Sequence, residues 1–357
     1  MTASLRRIGA ALLATAMALA AAGCAAQSGG TEGTIALLLP DAKTARYETF
    51  DRPYFEERVA ELGDFRVLYS NADQDAAKQQ QQAEAALTGG AGVLVLDPVD
   101  ANAAVTIVRE ANAQGVPVIS YDRLVAGGDL AYYVSFDNEK VGQLQASALT
   151  EALAADVGAI EPDTQQRGIL MVNGSPTDSN AALFKSGAEE VIDEAGITVL
   201  SSFDTPEWSP DLAQEWVAGQ VAQFGDRIAA VYAANDATAG GAVAALRAGN
   251  VTPFPIVTGQ DAELTAIQRI LTGDQYMTVY KAIRPQAERA ADVAVALLRG
   301  EEVEAPLEID GTPTTLLDPV AVTIEDIADT VVADGFWTID DICTAEYAEA
   351  CERAGLR

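Results

Sequence analysis

A chain of 357 residues that is 49% hydrophobic and 21% charged is globular and too long for one ordinary core, so two lobes are expected. Its formal net charge of -31 excludes nucleic acid as an expected partner, because phosphate binding needs a basic face. The sequence has no histidine, so any enzymatic mechanism would lack the commonest general base.

The first 23 residues have the pattern of an export signal. A basic pair, Arg6-Arg7, precedes the apolar run Ile8–Ala22, which is shorter than a typical membrane span. The run leads to Ala21-Ala22-Gly23-Cys24, which resembles a bacterial lipobox, whose cysteine is lipidated and becomes the first residue. The alternative is a plain secretory signal cleaved nearby. We expect a lipoprotein in which residues 24–33 form a flexible tether.

The three cysteines fit this interpretation. If Cys24 carries lipid, Cys343 and Cys351 remain as a pair, and in an exported protein a disulfide is the default. Such a bond would close a short loop and contribute about 2–3 kcal/mol. Two free thiols in the tail are the alternative. A metal site is not expected, since two thiols without histidine are too few ligands.

Short apolar strands then alternate with helices in a first array. Strands are predicted at Thr34–Leu39, Phe65–Tyr69, Val93–Leu96, Val116–Ser120 and Tyr132–Ser135, and helices at Tyr47–Leu62, Gln74–Thr88 and Ala101–Gln114. Strands that are apolar throughout are typical of a parallel sheet covered on both faces.

The alternation restarts in a second array. Helices are predicted at Glu139–Ala155, Ala181–Ala195, Asp211–Phe224, Ala237–Ala248 and Glu263–Thr272, strands at Gly168–Val172, Thr198–Phe203, Ile228–Ala233, Ile256–Thr258 and Met277–Tyr280, and a loop at 156–166. A further helix, Arg284–Leu298, a strand, Leu316–Val322, and a short helix, Ile324–Val331, complete the pattern. The sequence therefore predicts a two-lobed α/β protein whose chain crosses between lobes more than once.

Polar and aromatic side chains recur where the predicted strands end. They are Asp122, Arg123, Asp137, Asn138, Asp178, Asn180, Trp208, Asn235, Asp236, Gln260, Asp261 and Lys281, with Lys43, Arg46 and Tyr47 before the first helix. α/β proteins bind small molecules at this edge of the sheet. Each hydroxyl of a sugar both donates and accepts hydrogen bonds, so a mixture of carboxylates, amides and cations suits it. Tyr47 and Trp208 offer flat rings for the sugar's C–H faces.

These residues also have purely structural interpretations. Asp or Asn after a strand often caps the next helix, and we interpret Asp236 and Asp137 in this way. Trp208 could anchor its loop, and Tyr47 could belong to the core. A carboxylate pair such as Asp122 and Asp261 could serve a glycosidase. No motif marks an acid or a base, so we expect no enzyme.

Six ordered segments carry a family resemblance. They are Ser120–Arg123, Ser135–Ala146, Gly174–Phe184, Asn235–Leu246, Thr258–Ile270 and Met277–Lys281. They resemble the D-xylose-binding proteins of bacterial sugar importers, which belong to the ribose/galactose class of type I periplasmic binding proteins. The resemblance runs from about Thr34 to Trp337.

The resemblance implies two Rossmann-like lobes with parallel sheets, joined by a three-segment hinge, and one monosaccharide, D-xylose, in the cleft. The lobes would comprise 34–135 with 282–316 and 136–281 with 317–340, followed by a tail of 341–357. It implies hydrogen bonds to the sugar from Arg46, Asp122, Arg123, Asp178, Asn180, Asn235, Asp261 and Lys281, and stacking by Tyr47 and Trp208. Tyr47 stands where xylose binders have Trp. The resemblance implies neither metal nor cofactor.

The resemblance also implies a mechanism and partners. The lobes would close on the sugar, and the closed monomer would dock on the ABC permease and ATPase subunits at the outer face of the cell membrane. Glucose, galactose and arabinose remain alternative ligands. A sugar sensor that presents its ligand to a chemoreceptor or sensor kinase remains an alternative role.

Overall fold

The computed structural model of the chain describes residues 32–155 and 167–357. The predicted signal peptide, Cys24, most of the tether and the predicted loop 156–166 lie outside these ranges. Among the helices of the described ranges, none combines the length and the apolar character needed to cross a bilayer.

The first half of the described chain forms most of a seven-stranded sheet. Its elements are β1 (Gly33–Leu39), α1 (Arg52–Leu62), β2 (Phe65–Asn71), α2 (Ala76–Thr88), β3 (Val93–Leu96), α3 (Val105–Ala113), β4 (Val118–Tyr121) and β5 (Tyr132–Phe136). These strands run parallel in the order β2-β1-β3-β4-β5. A π-helical turn, Tyr47–Asp51, leads into α1.

The second array forms a separate four-stranded parallel sheet in the order β7-β6-β8-β9. Its elements are α4 (Asn138–Ala155), β6 (Gly168–Asn173), α5 (Ser179–Glu194), β7 (Val199–Asp204), α6 (Pro210–Phe224), β8 (Ile228–Ala233), α7 (Asp236–Ala248), β9 (Ile256–Val257), α8 (Leu264–Thr272) and β10 (Thr278–Tyr280). A 3-10 turn, Pro206–Trp208, follows β7.

The C-terminal elements divide between the two arrays. They are α9 (Ile283–Arg299), β11 (Leu307–Ile309), β12 (Thr312–Leu317), β13 (Val320–Val322), a π-helical turn (Ala328–Val332), α10 (Ile339–Ile342) and α11 (Ala348–Arg353). Strand β12 runs parallel to β5, whereas β13 pairs antiparallel with β10.

The prediction of one continuous strand over Leu316–Val322 is wrong. Asp318-Pro319 interrupts it, and its two parts pair in different sheets. Proline has no backbone N–H for the ladder, so it ends a strand here. The predicted helix Ile324–Val331 is also wrong in extent, since only the π-helical turn forms.

Helices cover both faces of each large sheet. In the seven-stranded sheet, Leu37 and Val95 pack in a core with α1 and α9, while Leu38 and Leu94 pack on the other face with α2 and α3. Successive side chains of a strand point to opposite faces, so an all-apolar strand fills two cores. This arrangement confirms the predicted α/β class.

Helices α4 and α5 approach closely at two glycines. A Cβ on Gly142 would clash with the carbonyl oxygen of Phe184, and one on Gly187 would clash with that of Glu139. Backbone atoms meet here directly, so a side chain at either position would push the helices apart.

The chain passes three times between the two arrays, after Phe136, between Tyr280 and Ile283, and between Leu317 and Val320. One core cluster lies at all three crossings and includes Phe136, Tyr280 and Ile283. The C-terminal segment packs into the same cluster, where a disulfide joins Cys343 to Cys351. The tail is therefore an integral part of the core at the crossings.

Gly187→Ala should destabilise the protein by about 1–3 kcal/mol, because the new methyl group meets a helix backbone that cannot move aside. Gly219→Ala is the matched control: this exposed helical glycine has nothing within 4 Å of an added Cβ. Alanine there should be neutral or stabilising by about 0.5–1 kcal/mol. Urea unfolding measures both. Equal midpoints for the two variants would contradict the close helix contact.

Candidate functional site

One cavity lies where strands of both large sheets end. All ten predicted binding residues line it, namely Arg46, Tyr47, Asp122, Arg123, Asp178, Asn180, Trp208, Asn235, Asp261 and Lys281.

Arg46 is held from several sides. Its Nε and Nη2 donate to the two carboxylate oxygens of Asp51 at 2.9 and 2.7 Å, a bidentate pair. Its Nη1 donates to Asp122 Oδ1 at 3.0 Å, and Gln286 accepts from Nη2 at 2.9 Å. Tyr121 also hydrogen-bonds Asp51 through its hydroxyl. The guanidinium is therefore fixed before any ligand arrives.

Asp122 is a buried carboxylate surrounded by donors. Burial alone would raise its pKa, but Arg46 and Lys281 outweigh that effect and hold the pKa well below the usual range. Gln286 Nε2 also donates to Oδ1 at 3.1 Å. Its φ of 58° lies in the left-handed region, which costs free energy in a residue other than glycine. Asp122 is thus an ionised, fixed acceptor on the cavity.

Arg123 faces three carboxylates. Its Nε lies 2.7 Å from Asp178 Oδ2 and 3.6 Å from Asp97 Oδ1, and its Nη2 lies 3.8 Å from Asp41. Its Nη2 also donates to the Tyr47 hydroxyl at 3.2 Å. Burial raises the pKa of Asp97 well above its ordinary range. No donor among the described residues hydrogen-bonds either carboxylate oxygen of Asp97. Arg123 is therefore the cation that offsets part of the negative charge of these three carboxylates.

The aromatic wall is built on close backbone packing. The Trp208 ring lies against Gly174, where any Cβ would clash with it, and its Nε1 donates to Asp178 Oδ2 at 2.9 Å. Phe184 meets the ring edge-on with centroids 6.3 Å apart. Trp208 has φ of 55°, another left-handed residue on the cavity. The indole is therefore held in one orientation by packing against Gly174 and Phe184 and by a hydrogen bond.

Two cavity residues are also helix caps. The Asp178 side chain accepts from the backbone N–H of Asn180 at the start of α5. Asn235 forms a capping box with Thr238 at the start of α7. The capping and ligand interpretations of these residues are thus compatible, because each cap leaves part of its side chain facing the cavity.

The interpretation of Asp236 as the cap of α7 is wrong. Asn235 holds that position, and Asp236 is fully buried behind the site. Its Oδ2 accepts from Glu263 N and Thr278 Oγ1, both at 2.9 Å, and its Oδ1 accepts from Gln275 at 2.7 Å. It ties the start of α7 to the turn before α8 and to β10.

Asp261 lies in that turn. Its Oδ1 accepts from the Gln260 side chain and lies 4.0 Å from Lys281 Nζ, which is also 3.9 Å from Asp122. One ammonium thus links a carboxylate of each array. Burial raises the pKa of Asp261, while Lys281 opposes that rise.

Three further residues line the cavity: Thr44, Phe184 and Gln260. Phe184 follows Asn180 by one helical turn, so helix periodicity places it on the same face. Gln260 directly precedes Asp261 and stands among the strand-end polar groups, and Thr44 lies in the segment before Arg46. For Thr44 and Phe184 only their neighbours in sequence carried a signal, whereas Gln260 was itself among the strand-end polar residues.

The cavity combines fixed acceptors, fixed cations and amides. Within the described part of the chain, no cysteine or serine with a neighbouring base lines it. Its acceptors Asp122 and Asp178 are each bound by cationic or N–H donors. Such a lining suits reversible binding of a neutral polyol by hydrogen bonds.

The comparisons with known proteins agree with this geometry. Residues 35–302 match the family model described as a periplasmic binding protein domain. The chain belongs to the periplasmic binding protein family. The relatives include D-xylose-binding periplasmic proteins of Haemophilus influenzae and Escherichia coli, each 36% identical, over 86% and 85% of this chain and 91% of each relative.

Solved structures give the same picture of this periplasmic binding protein. An ABC transporter solute-binding protein from Clostridium phytofermentans with bound β-D-glucose superposes with a TM-score of 0.78 and is 26% identical, covering 87% of this chain and 99% of that one. The predicted fold of two lobes in the type I arrangement is thus confirmed. Because its relatives are binding proteins, this chain is a binding protein and not an enzyme.

The buried Asp236 and the half-buried Glu263 behind the site should make stability depend on pH. Burial is the main cause that raises the pKa of Asp236 to about 7 and that of Glu263 to about 8. Both values exceed those of the unfolded chain, near about 3.9 and 4.3. The folded state therefore holds these protons more tightly, so their stabilisation is present below about pH 4 and lost as pH rises to about 8.

Glu263→Gln removes one titrating group while keeping its shape. We expect its melting temperature to fall less than that of the wild type between about pH 5 and about pH 8.5. Exposed Glu302→Gln is the control and should leave the wild-type slope unchanged. Thermal unfolding at both pH values measures the effect. A Glu263→Gln slope equal to that of the wild type would contradict the role of this acid.

Proposed function

We propose that this chain is the solute-binding protein of an ABC sugar importer and binds one molecule of D-xylose between its two lobes. The lobes would be those expected from the sequence, 34–135 with 282–316 and 136–281 with 317–340. The chain would be exported and would work at the outer face of the cell membrane.

One observation carries the proposal: ten residues expected to bind sugar converge on one buried cavity in a chain 36% identical to D-xylose-binding proteins. The lining offers Arg46, Arg123 and Lys281 as donors and Asp122, Asp178 and Asp261 as acceptors. Charge-assisted hydrogen bonds to hydroxyl groups are about twice as strong as neutral ones. Tyr47 and Trp208 supply rings for the C–H faces of the sugar.

The mechanism we propose is closure of the lobes around the sugar. A ligand shifts such an equilibrium only by binding one form better, and a sugar bonded to both lobes favours the closed form. Bonds across the cleft support this proposal. Ala101 N donates to Thr177 O at 3.0 Å, and Leu124 N donates to Ser179 Oγ at 2.8 Å.

An exposed ion pair also joins the two proposed lobes, with Lys43 Nζ 3.1 Å from Glu207 Oε2. Such a pair is individually weak in water.

The closed protein would present a defined surface to the permease subunits, whose paired ATPase supplies the energy for import.

A second ligand is favoured by one specific observation. The solute-binding protein of Clostridium phytofermentans that superposes on this chain holds β-D-glucose. Tyr47, at a position where the resemblance places Trp, is a smaller ring beside the sugar. Calorimetry with xylose, glucose, galactose, arabinose and ribose decides between an aldopentose and an aldohexose.

Asp261→Asn should weaken sugar binding about 10- to 150-fold, because it removes the charge from an acceptor on the cavity. Asp261 is a better target than Arg123, whose removal would leave three buried carboxylates uncompensated and destabilise the fold. Calorimetric titration with D-xylose measures the dissociation constant.

Asp137→Asn is the matched control for this substitution. Asp137 caps α4 by accepting from Lys140 N at 3.0 Å, and asparagine caps helices equally well. Its affinity for the sugar should equal that of the wild type. If Asp261→Asn binds xylose as tightly as Asp137→Asn does, the assignment of the site is wrong.

Cys24→Ser should release the protein from the membrane, because the proposed lipid attaches to this cysteine. A single acyl chain anchors only marginally, so the lipids of a bacterial lipoprotein would be needed together. Fractionation of expressing cells measures the change. A wild-type protein found wholly in the soluble fraction would contradict the anchor without affecting the sugar site.

A further inference from the structure

The turn that carries Asp261 has a strained backbone. Asp261 has φ of 101° and Ala262 has φ of 50°, so two successive residues other than glycine adopt positive φ. Such conformations cost free energy and persist only where the surroundings enforce them. The position of the Asp261 carboxylate on the cavity therefore depends on what holds this turn.

Hydrogen bonds with two elements, β10 and the C-terminal segment, hold the turn. Asp261 N donates to Val279 O at 3.0 Å, and Ala262 N donates to Thr278 Oγ1 at 3.2 Å, so β10 fixes the donors of the turn. The carbonyl oxygen of Ala262 accepts from Trp337 Nε1 at 2.8 Å. Trp337 comes from the C-terminal segment, more than seventy residues away.

The C-terminal segment is itself firmly held. Thr338 forms a capping box at the start of α10, and the carbonyl oxygen of Ile342 accepts from Gln268 of α8 at 3.3 Å. The disulfide between Cys343 and Cys351 joins α10 to α11. The segment is thus hydrogen-bonded both to the Asp261 turn and to the helix that follows it.

The segment also reaches the other array. Phe336 stacks on Phe50 with ring centroids 4.0 Å apart, and Trp337 meets the same ring edge-on at 5.1 Å. Phe50 belongs to the π-helical turn that carries Tyr47. The indole of Trp337 therefore lies between two turns that carry cavity-lining residues, the turn of Tyr47 in the first array and the turn of Asp261 in the second.

We propose that Trp337 is a positioning residue for the ligand site. Its indole N–H fixes the Ala262 carbonyl and so the strained turn that aims Asp261 into the cavity, while the disulfide-closed tail keeps Trp337 in place. The inference rests on the proposed function, because an effect of Trp337 on sugar affinity requires that the cavity binds sugar.

Trp337→Phe tests this role, since it keeps an aromatic ring against Phe50 and removes the N–H donor. We expect the dissociation constant for the sugar that binds the wild type best to rise about 3- to 10-fold, the effect of one hydrogen bond. Calorimetric titration measures affinity, and thermal unfolding without ligand measures stability.

Trp216→Phe is the matched control. Trp216 stacks on Phe203 with centroids 5.3 Å apart and lies on α6, outside the cavity lining. We expect this variant to bind sugar as the wild type does. A residue with only a structural role would lower the melting temperature and leave the dissociation constant unchanged.

The double variant Cys343→Ser/Cys351→Ser examines the same path. If the tail acts through Trp337, loss of the disulfide should weaken sugar binding. Trp337→Phe should then raise the dissociation constant by a smaller factor in the double variant than in the protein with its disulfide. Effects that add fully would contradict the shared path.

The possible failures are distinguishable. A wild type that binds none of the five sugars overturns the proposed function. A wild type that binds sugar while Trp337→Phe binds it within twofold overturns only the inference about Trp337.

Discussion

The cavity depends on two buried guanidinium groups set among carboxylates. Arg46 is shared between Asp51 and Asp122, and Arg123 lies among Asp178, Asp97 and Asp41. Taking such charges out of water is expensive, and removing one partner would leave the others uncompensated. Because Asp51 and Asp122 hold Arg46 within one array, a ligand meets a guanidinium that lost its freedom during folding rather than on binding.

Backbone geometry explains why these ions can converge. The strands end at the same edge of each sheet, and the chain then turns sharply at residues with positive φ, among them Asp122, Trp208 and Asp261. Unfavourable conformations at single positions are stabilised by the packing around them, as at Gly174 beneath Trp208. The parallel sheets thus provide rigid supports, and Asp122, Trp208 and Asp261 face the cavity from strained turns between them.

Much of this arrangement could be predicted from the sequence. Strands such as Val93–Leu96 and Ile228–Ala233 have the predicted bounds, because a continuous apolar run between turn residues has few other interpretations. The cavity lining followed from strand-end polar groups and a family resemblance. Asp51 and Gln286, which hold Arg46, could not be predicted. The pair with Asp51 depends on the local π-helical turn, and the bond to Gln286 joins residues 240 apart in sequence. The strand at Leu316–Val322 failed because local hydrophobicity does not reveal which sheet a residue joins.

The helix caps at the cavity have a consequence for how this protein can change over evolution. Asp178 and Asn235 each start a helix of the second array, so a substitution that alters the ligand there also weakens a helix end. Under the proposed function, selection for a new sugar is therefore penalised at these two positions and freer at rings such as Tyr47, which starts no helix through its side chain. Divergence in ligand range should accumulate on the aromatic wall, while the polar caps change slowly.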